Sequence, residues 1–174
     1  MSASRPLRPD FVQQGPGRER NSTRPSLVTR ILIIEDNPLD VKLLQHIFAY
    51  EPEWRTEFVV VEDGEEAIEY LLHPETAKPD LVILDLKLPK RDGLDVLIAI
   101  RKSEHLHGVR VVIFSSYPEA IIRSKMALAN LHADDYINKP DGFSEFSSLA
   151  KRFRQCCDSS MALSEYPASA QAIA

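Results

Sequence analysis

The chain has 174 residues, a length that suits one domain with tails and is short for two full domains and a linker. Hydrophobic residues make up 44% and charged residues 27% of the sequence, a composition typical of globular proteins rather than disordered or fibrous ones. The net charge of −5 argues against nucleic-acid binding by the folded part. No apolar run approaches the roughly 20 residues of a transmembrane helix, which argues against membrane insertion.

The two ends of the chain differ in composition from the middle. Residues 1–29 are rich in Arg and Pro, show little apolar periodicity and are predicted to form a flexible tail. Residues 30–154 are predicted to form the folded domain, and residues 155–174 a C-terminal tail or a weak helix that depends on a partner. The first 30 residues lack the apolar stretch of a secretory signal, which predicts a cytoplasmic location.

Five short apolar runs alternate with five amphipathic patterns after residue 30. The runs, which predict strands, are 31–34, 56–61, 81–84, 111–114 and the pair Tyr136-Ile137. The helical patterns follow Asn37, Asp63-Gly64, Asp92-Gly93, Tyr117 and Gly142. Regular alternation of this kind predicts an α/β protein with a doubly wound parallel sheet covered by helices on both faces.

Polar side chains follow four of the five predicted strands. In chain order they are Glu35, Asp36, Asp85, Ser115, Ser116 and Lys139. The loops beyond the carboxyl ends of parallel strands converge, so these groups are expected to share one site.

The chemistry of these groups suits Mg²⁺ and phosphate. Carboxylate oxygens of Glu35, Asp36 and Asp85 are the ligands that Mg²⁺ prefers, and three such groups repel one another without a cation. Asp85 is the candidate nucleophile for a phosphoryl group, because a carboxylate can form an acyl phosphate. The Ser115 hydroxyl and the Lys139 ammonium can each contact a phosphoryl oxygen.

Four separate motifs lie at the ends of the predicted strands. They are Ile-Glu-Asp-Asn at 34–37, Leu-Asp-Leu-Lys-Leu-Pro at 84–89 with Asp92-Gly93, Phe-Ser-Ser at 114–116 and Tyr-Ile-Asn-Lys-Pro at 136–140. Together they resemble the receiver-domain family of two-component response regulators. The resemblance covers roughly residues 30–154 and implies a flavodoxin-like (βα)5 fold with strand order 2-1-3-4-5.

The resemblance also implies a role for each site residue. Asp85 is the phosphoacceptor and Lys139 the essential lysine, while Glu35, Asp36, Asp85 and the backbone carbonyl of Lys87 hold Mg²⁺. Ser115 is the switch hydroxyl and Tyr136 the aromatic switch residue.

The segment before Pro79-Asp80 and the Leu-Pro-Lys-Arg-Asp-Gly form at 88–93 most resemble small regulators paired with bacterial phytochrome-type histidine kinases. Lys87 departs from the Asn expected two positions after the acceptor. Lys87 and Tyr117 are therefore predicted to tune the rate of phosphoryl loss, with a long-lived phosphoryl state as the hypothesis.

The predicted function is a single-domain response regulator that accepts a phosphoryl group from a sensor histidine kinase or a phosphotransfer protein. It would catalyse only its own phosphotransfer and dephosphorylation. It would signal through the face formed by its fourth helix, fifth strand and fifth helix, where Ile121 or Ile122 could form a homodimer. No nucleic-acid or membrane partner is expected.

Two alternatives remain open from the sequence. A pseudo-receiver adaptor would keep the fold and bind partners without phosphate. A haloacid-dehalogenase-like phosphatase also forms an aspartyl phosphate, but the second Asp usual in that family is Lys87 here.

Overall fold

The computed structural model describes residues 28–140 and 146–164, with side chains described as far as residue 158. The strands are β1 Thr29–Ile34, β2 Thr56–Val61, β3 Leu81–Leu84, β4 Arg110–Ser115 and β5 Asp135–Asn138. The helices are α1 Pro38–Phe48, α2 Gly64–Leu72, α3 Gly93–Lys102, α4 Glu119–Leu128 and α5 Phe146–Ser164, with a short 3₁₀ turn at Glu104–Leu106. None of these helices has both the length and the apolar character needed to span a bilayer.

The five strands form one parallel sheet in the order β2-β1-β3-β4-β5, which confirms the predicted flavodoxin-like topology. The register places Ile34 beside both Val61 and Leu84, so β1, β2 and β3 end at the same level. Residues that directly follow β1 and β3 therefore lie side by side at the carboxyl edge of the sheet.

Both faces of the sheet are buried. Leu32 and Ile34 belong to a core that includes residues of α2, α3 and α4, whereas Ile31 and Ile33 pack with α1 and α5. Such a sheet needs apolar side chains on both faces of each central strand, which explains why β3 is an unbroken apolar run.

Side-chain caps begin three of the helices, and the first of them, at Asn37, was predicted. Asn37, Asp63 and Asp92 accept hydrogen bonds from backbone N–H groups in the first turns of α1, α2 and α3. Gly93 is required by space, because a Cβ atom there would lie 2.3 Å from the backbone oxygen of Asp85. The start of α3 is thus packed directly against the backbone of the predicted acceptor.

The chain ends differ from the prediction at both boundaries. Thr29, assigned to the N-terminal tail from sequence, is the first residue of β1, and its hydroxyl accepts a hydrogen bond of 2.8 Å from Trp54 Nε1. The predicted boundary at residue 154 falls inside α5, because the apolar stripe of that helix continues to the buried Cys157. Residues 1–27, 141–145 and 165–174, including the predicted helix position Phe143, lie outside the described residues.

An ion-pair cluster joins the amino-terminal ends of the later strands. The Asp134 carboxylate accepts hydrogen bonds from the backbone N–H of Val111 at 2.8 Å, from Arg101 at 2.9 Å and from Arg110 at 2.6 Å. Burial alone would raise the pKa of Asp134, but the interactions with Val111, Arg110 and Arg101 have the larger effect and hold the pKa below its usual value.

Asp134→Ala is expected to lower the free energy of unfolding by about 1–3 kcal/mol at neutral pH, because two arginines and one amide lose their acceptor. A carboxyl with a lowered folded-state pKa stabilises the protein above its unfolded-state pKa, and this contribution disappears as the pH falls through the folded-state pKa. The difference from wild type should therefore shrink at acid pH. Urea denaturation at neutral and at acid pH measures this difference. The control is Glu69→Ala at an exposed position, which should stay within about 0.5 kcal/mol of wild type.

Candidate phosphoryl and metal site

Three carboxylates meet at the carboxyl edge of the sheet. Glu35, Asp36 and Asp85 each offer one oxygen, and these oxygens all lie within 4.8 Å of one another. The sheet hydrogen bonding continues past the strands, since the backbone N–H of Glu35 donates to Val61 and that of Asp85 donates to Ile34. The strand backbones therefore fix two of the three groups, Glu35 and Asp85, which are buried, while Asp36 is exposed.

Lys139 provides the positive charge of this cluster. Its Nζ donates to Glu35 Oε2 at 2.7 Å, to Asp40 Oδ2 at 2.8 Å and to Asp85 Oδ2 at 3.0 Å. The backbone N–H of Lys139 donates to the carbonyl of Ser115, which extends the pairing of β5 with β4 by one residue. Burial alone would lower the pKa of Lys139, but the hydrogen bonds to Asp40, Glu35 and Asp85 raise it well above its usual value.

Asp40 is a site residue that the sequence reasoning missed. It lies in the first turn of α1, where its Oδ2 also accepts from Asn37 Nδ2 at 3.0 Å. Its position three residues after the helix cap places it on the turn nearest the sheet edge, and this spacing was the available signal.

The local charges favour a cation. Burial raises the pKa of Glu35, and although the Lys139 ammonium opposes this change, the Asp85 charge adds to it and the net direction is upward. A carboxyl with a raised pKa is one whose negative charge is incompletely compensated, so additional positive charge nearby would stabilise it. Hard oxygen donors in this arrangement fit Mg²⁺, for which Glu35, Asp36 and Asp85 would supply the protein ligands.

An open cavity of about 400 Å³ surrounds these groups. Its lining residues are Glu35, Asp36, Asn37, Asp40, Asp85, Lys87, Ser115, Ser116, Tyr117 and Lys139. All the predicted site residues except Tyr136 are therefore brought together. The proposed metal contact of the Lys87 carbonyl stays a prediction.

Asp85 and Ser115 are held by backbone contacts inside the cavity. Asp85 Oδ1 accepts from the backbone N–H of Leu86 at 2.7 Å, and Ser115 Oγ accepts from the backbone N–H of Tyr117 at 3.4 Å. Both side chains are almost fully buried, whereas Lys87 and Tyr117 are exposed at the mouth of the cavity.

Tyr136 lies beneath the site rather than in it. It is 4% exposed, is paired with Ile113 across β4 and β5, and contacts Met126 and Arg123 of α4. The ring therefore does not line the cavity, although β4, with which Tyr136 is paired, ends at the cavity residue Ser115.

Residues 31–151 match the model of the response regulator receiver domain. The chain belongs to this family. It is thus a receiver domain of the kind used in phosphorylation-based two-component signalling, where receiver domains interact with sensor histidine kinases.

Individual proteins similar to the chain include the probable methanogenesis regulatory protein FilR2 of Methanothrix harundinacea. The two are 32% identical, over 72% of this chain and 81% of FilR2. Several other curated relatives are longer, and the chain spans about half of their length or less.

Among solved structures, the phosphorylated cyanobacterial phytochrome response regulator RcpA is 29% identical with a TM-score of 0.57, over 84% of this chain and 98% of RcpA. The receiver domain of sensor histidine kinase PA1611 from Pseudomonas aeruginosa is 22% identical with a TM-score of 0.56, over 73% of this chain and 98% of that domain. That domain was crystallised with magnesium coordinated in its active-site cleft, and its likeness to this chain extends to the fold alone.

Proposed function

We propose that the chain accepts a phosphoryl group on Asp85 from a sensor histidine kinase or a phosphotransfer protein, with Mg²⁺ held by Glu35, Asp36 and Asp85. The observation that carries this proposal is the contact of Lys139 Nζ with Asp85 and Glu35 inside a cavity lined by all three carboxylates. The cation would neutralise charge on the transferring oxygens.

In the proposed step a carboxylate oxygen of Asp85 attacks the phosphorus of a phosphohistidine. The new O–P bond forms as the P–N bond breaks, and the electron pair passes to the imidazole nitrogen, which takes a proton from water. Lys139 is already 3.0 Å from Asp85 and can pair with one phosphoryl oxygen, while the Ser115 hydroxyl can turn to donate to another.

The phosphoryl group would bring a charge of about −1.5 to −2 into the cavity. Lys139 and Ser115 would be drawn toward that charge, and the face formed by α4, β5 and α5 would change its conformational balance. Ile121 is 52% exposed on α4 and suits a homodimer contact of this face. Ile122, the other residue predicted for that contact, is 4% exposed and belongs to the core, so that part of the prediction is wrong.

The likeness to the phytochrome response regulator RcpA supports a phytochrome-type histidine kinase as the donor. A cytoplasmic location remains a prediction from the sequence.

Incubation of the purified chain with acetyl phosphate and Mg²⁺ tests the function. We expect close to one hydroxylamine-labile phosphoryl group per chain by intact mass spectrometry, and no labelling in excess EDTA. Absence of label together with absence of Mg²⁺ binding would indicate a pseudo-receiver. Steady turnover of phosphate esters would indicate a phosphatase of the haloacid-dehalogenase type.

The lifetime of the label tests the roles of Lys87 and Tyr117. Both exposed side chains line the mouth of the cavity, so we propose that they obstruct the water that would hydrolyse the acyl phosphate. Lys87→Asn is expected to speed phosphoryl loss severalfold, as measured by the decay of label after removal of the donor. Lys90→Asn, a change of the same type at an exposed position outside the cavity lining, should leave the decay unchanged. Rapid decay in wild type that Lys87→Asn does not alter would contradict the long-lived state.

A further inference from the structure

The ring of Tyr136 is covered by a charged residue of α4. The Arg123 guanidinium carbon lies 4.6 Å from the ring centroid, within the range of a favourable cation–π contact. Arg123 is held there by Glu119 one turn earlier, whose Oε1 accepts from Arg123 Nε at 2.6 Å. Although the Arg123 side chain is 59% exposed, this ion pair orients its cation over the ring.

The Tyr136 hydroxyl has a weak partner in the buried position. It donates to the thioether sulfur of Met126, and a thioether is a poor acceptor compared with water. Burial of the phenol is consistent with the raised pKa of Tyr136. The buried, or inward, ring therefore gains apolar contacts but gives up a good hydrogen bond. A further contact can then change the balance between this orientation and an outward one in which the hydroxyl reaches water.

The backbone of Tyr136 is fixed separately from the ring. Its carbonyl accepts from Arg152 Nη2 at 2.6 Å, and the same guanidinium pairs with both carboxylate oxygens of Asp135. Arg152 of α5 thus anchors the backbone of Tyr136, whereas Arg123 of α4 contacts its ring.

The sheet connects the Tyr136 ring to the candidate site. Tyr136 is paired with Ile113 on β4, and Ser115 lies two residues further along the same strand. Helix α4, which carries Arg123, begins four residues after Ser115. Only Pro118 separates its first residue from Tyr117, which lines the cavity. If Ser115 and the start of α4 move toward a phosphoryl group, the positions of Arg123 and Tyr136 would therefore change together.

We propose that Arg123 is a positioning residue that holds the Tyr136 ring in its buried orientation and so sets how readily the chain accepts a phosphoryl group. The second half of this statement rests on the proposed function of Asp85. The first half concerns the unphosphorylated chain alone and can be tested without phosphate.

Two variants separate the cation from simple coverage of the ring. Arg123→Met keeps an extended apolar side chain over Tyr136 but removes the charge, and it lies on an exposed helix face where folding should survive. Lys125→Met removes the same charge from an exposed position two residues along α4 and serves as the matched control. The full chain is labelled with 3-fluorotyrosine, and Tyr136→Phe identifies the resonance of Tyr136.

The solvent isotope effect on the fluorine shift reports the exposure of each tyrosine ring. In the absence of phosphodonor, Arg123→Met is expected to raise the ratio of outward to inward Tyr136 by about two- to fivefold, whereas Lys125→Met leaves it unchanged. In acetyl phosphate and Mg²⁺, the initial labelling rate of Arg123→Met is expected to fall by a similar factor.

An unchanged Tyr136 resonance in Arg123→Met would overturn the positioning role of Arg123, and so would an equal change in Lys125→Met. A more exposed ring with an unaltered labelling rate would overturn the link to phosphorylation. If wild type takes up no label, the proposed function fails, and the fluorine measurement still decides whether Arg123 positions Tyr136.

Discussion

Asp85→Asn is expected to lower phosphoryl labelling by acetyl phosphate at least about 100-fold, because an amide oxygen is a far weaker nucleophile than a carboxylate. The substitution preserves the local geometry. An amide oxygen can still accept from the Leu86 N–H, and Lys139 keeps its contacts with Glu35 and Asp40. Loss of label can therefore be attributed to the chemistry of one oxygen rather than to collapse of the site.

Asp95→Asn provides the control for this experiment, since Asp95 is exposed on α3 and lies outside the lining of the cavity. Its labelling should equal that of wild type. Undiminished labelling of Asp85→Asn would contradict the assignment. Reduction of the acyl phosphate with borohydride, followed by peptide mass spectrometry, would then show whether Asp36 or Asp40 carries the group.

The parts of the fold that the sequence predicted are those governed by local chemistry. A strand buried on both faces must be an unbroken apolar run, as Leu81–Leu84 is, and the start of α1 is marked by the Asn37 cap followed by Pro38. The meeting of Glu35, Asp85 and Lys139 followed from the rule that parallel strands deliver their ends to one edge. These inferences needed only the order of the elements.

What the sequence did not predict depends on how elements pack. Asp40 reaches Lys139, 99 positions away in the chain, only because α1 begins with its first turn beside the sheet edge. Arg123 reaches Tyr136 only because α4 lies over β5 at a particular distance. The only local signal for the Asp40 contact is its spacing from the Asn37 cap, and no local pattern marks the Arg123 contact. Both are charged residues, which are usually exposed to solvent. The continuation of α5 past residue 154 was left open between a tail and a helix, because the spacing alone did not reveal the burial of Cys157.

Lys139→Met is expected to lower the free energy of unfolding by about 3 kcal/mol in the absence of divalent cations. The charge of Lys139 is shared among Glu35, Asp40 and Asp85 at 2.7–3.0 Å, and its side chain is only 12% exposed. Removal of one partner from a buried ionic group leaves the others uncompensated, which typically costs about 3–5 kcal/mol, and the exposure of this cavity places the effect at the lower end. Urea denaturation in EDTA measures the loss.

The pH dependence of this loss follows from its cause. Without Lys139, burial and mutual repulsion should raise the pKa of the Glu35 carboxyl further than in wild type, where it is already raised. A carboxyl whose folded-state pKa exceeds its unfolded-state value binds protons more tightly in the folded protein, so the variant gains stability relative to wild type as the pH falls. The difference in unfolding free energy should accordingly be larger at pH 8 than at pH 5.

Addition of Mg²⁺ should reverse much of the loss in Lys139→Met, because a divalent cation can replace the missing positive charge among Glu35, Asp36 and Asp85. At a Mg²⁺ concentration 100 times the dissociation constant, the free energy of unfolding rises by about 2.7 kcal/mol for any protein that binds the ion only when folded. The variant should reach that saturation at lower Mg²⁺ than wild type, because Lys139 no longer competes for the same oxygens. Lys125→Met removes an equal charge from an exposed position on α4, outside the lining of the cavity, and should change neither stability nor the Mg²⁺ midpoint appreciably. Equal stability of Lys139→Met and wild type in EDTA would mean that the carboxylates do not repel one another as their spacing implies, and the argument for a cation site at this edge of the sheet would then fail.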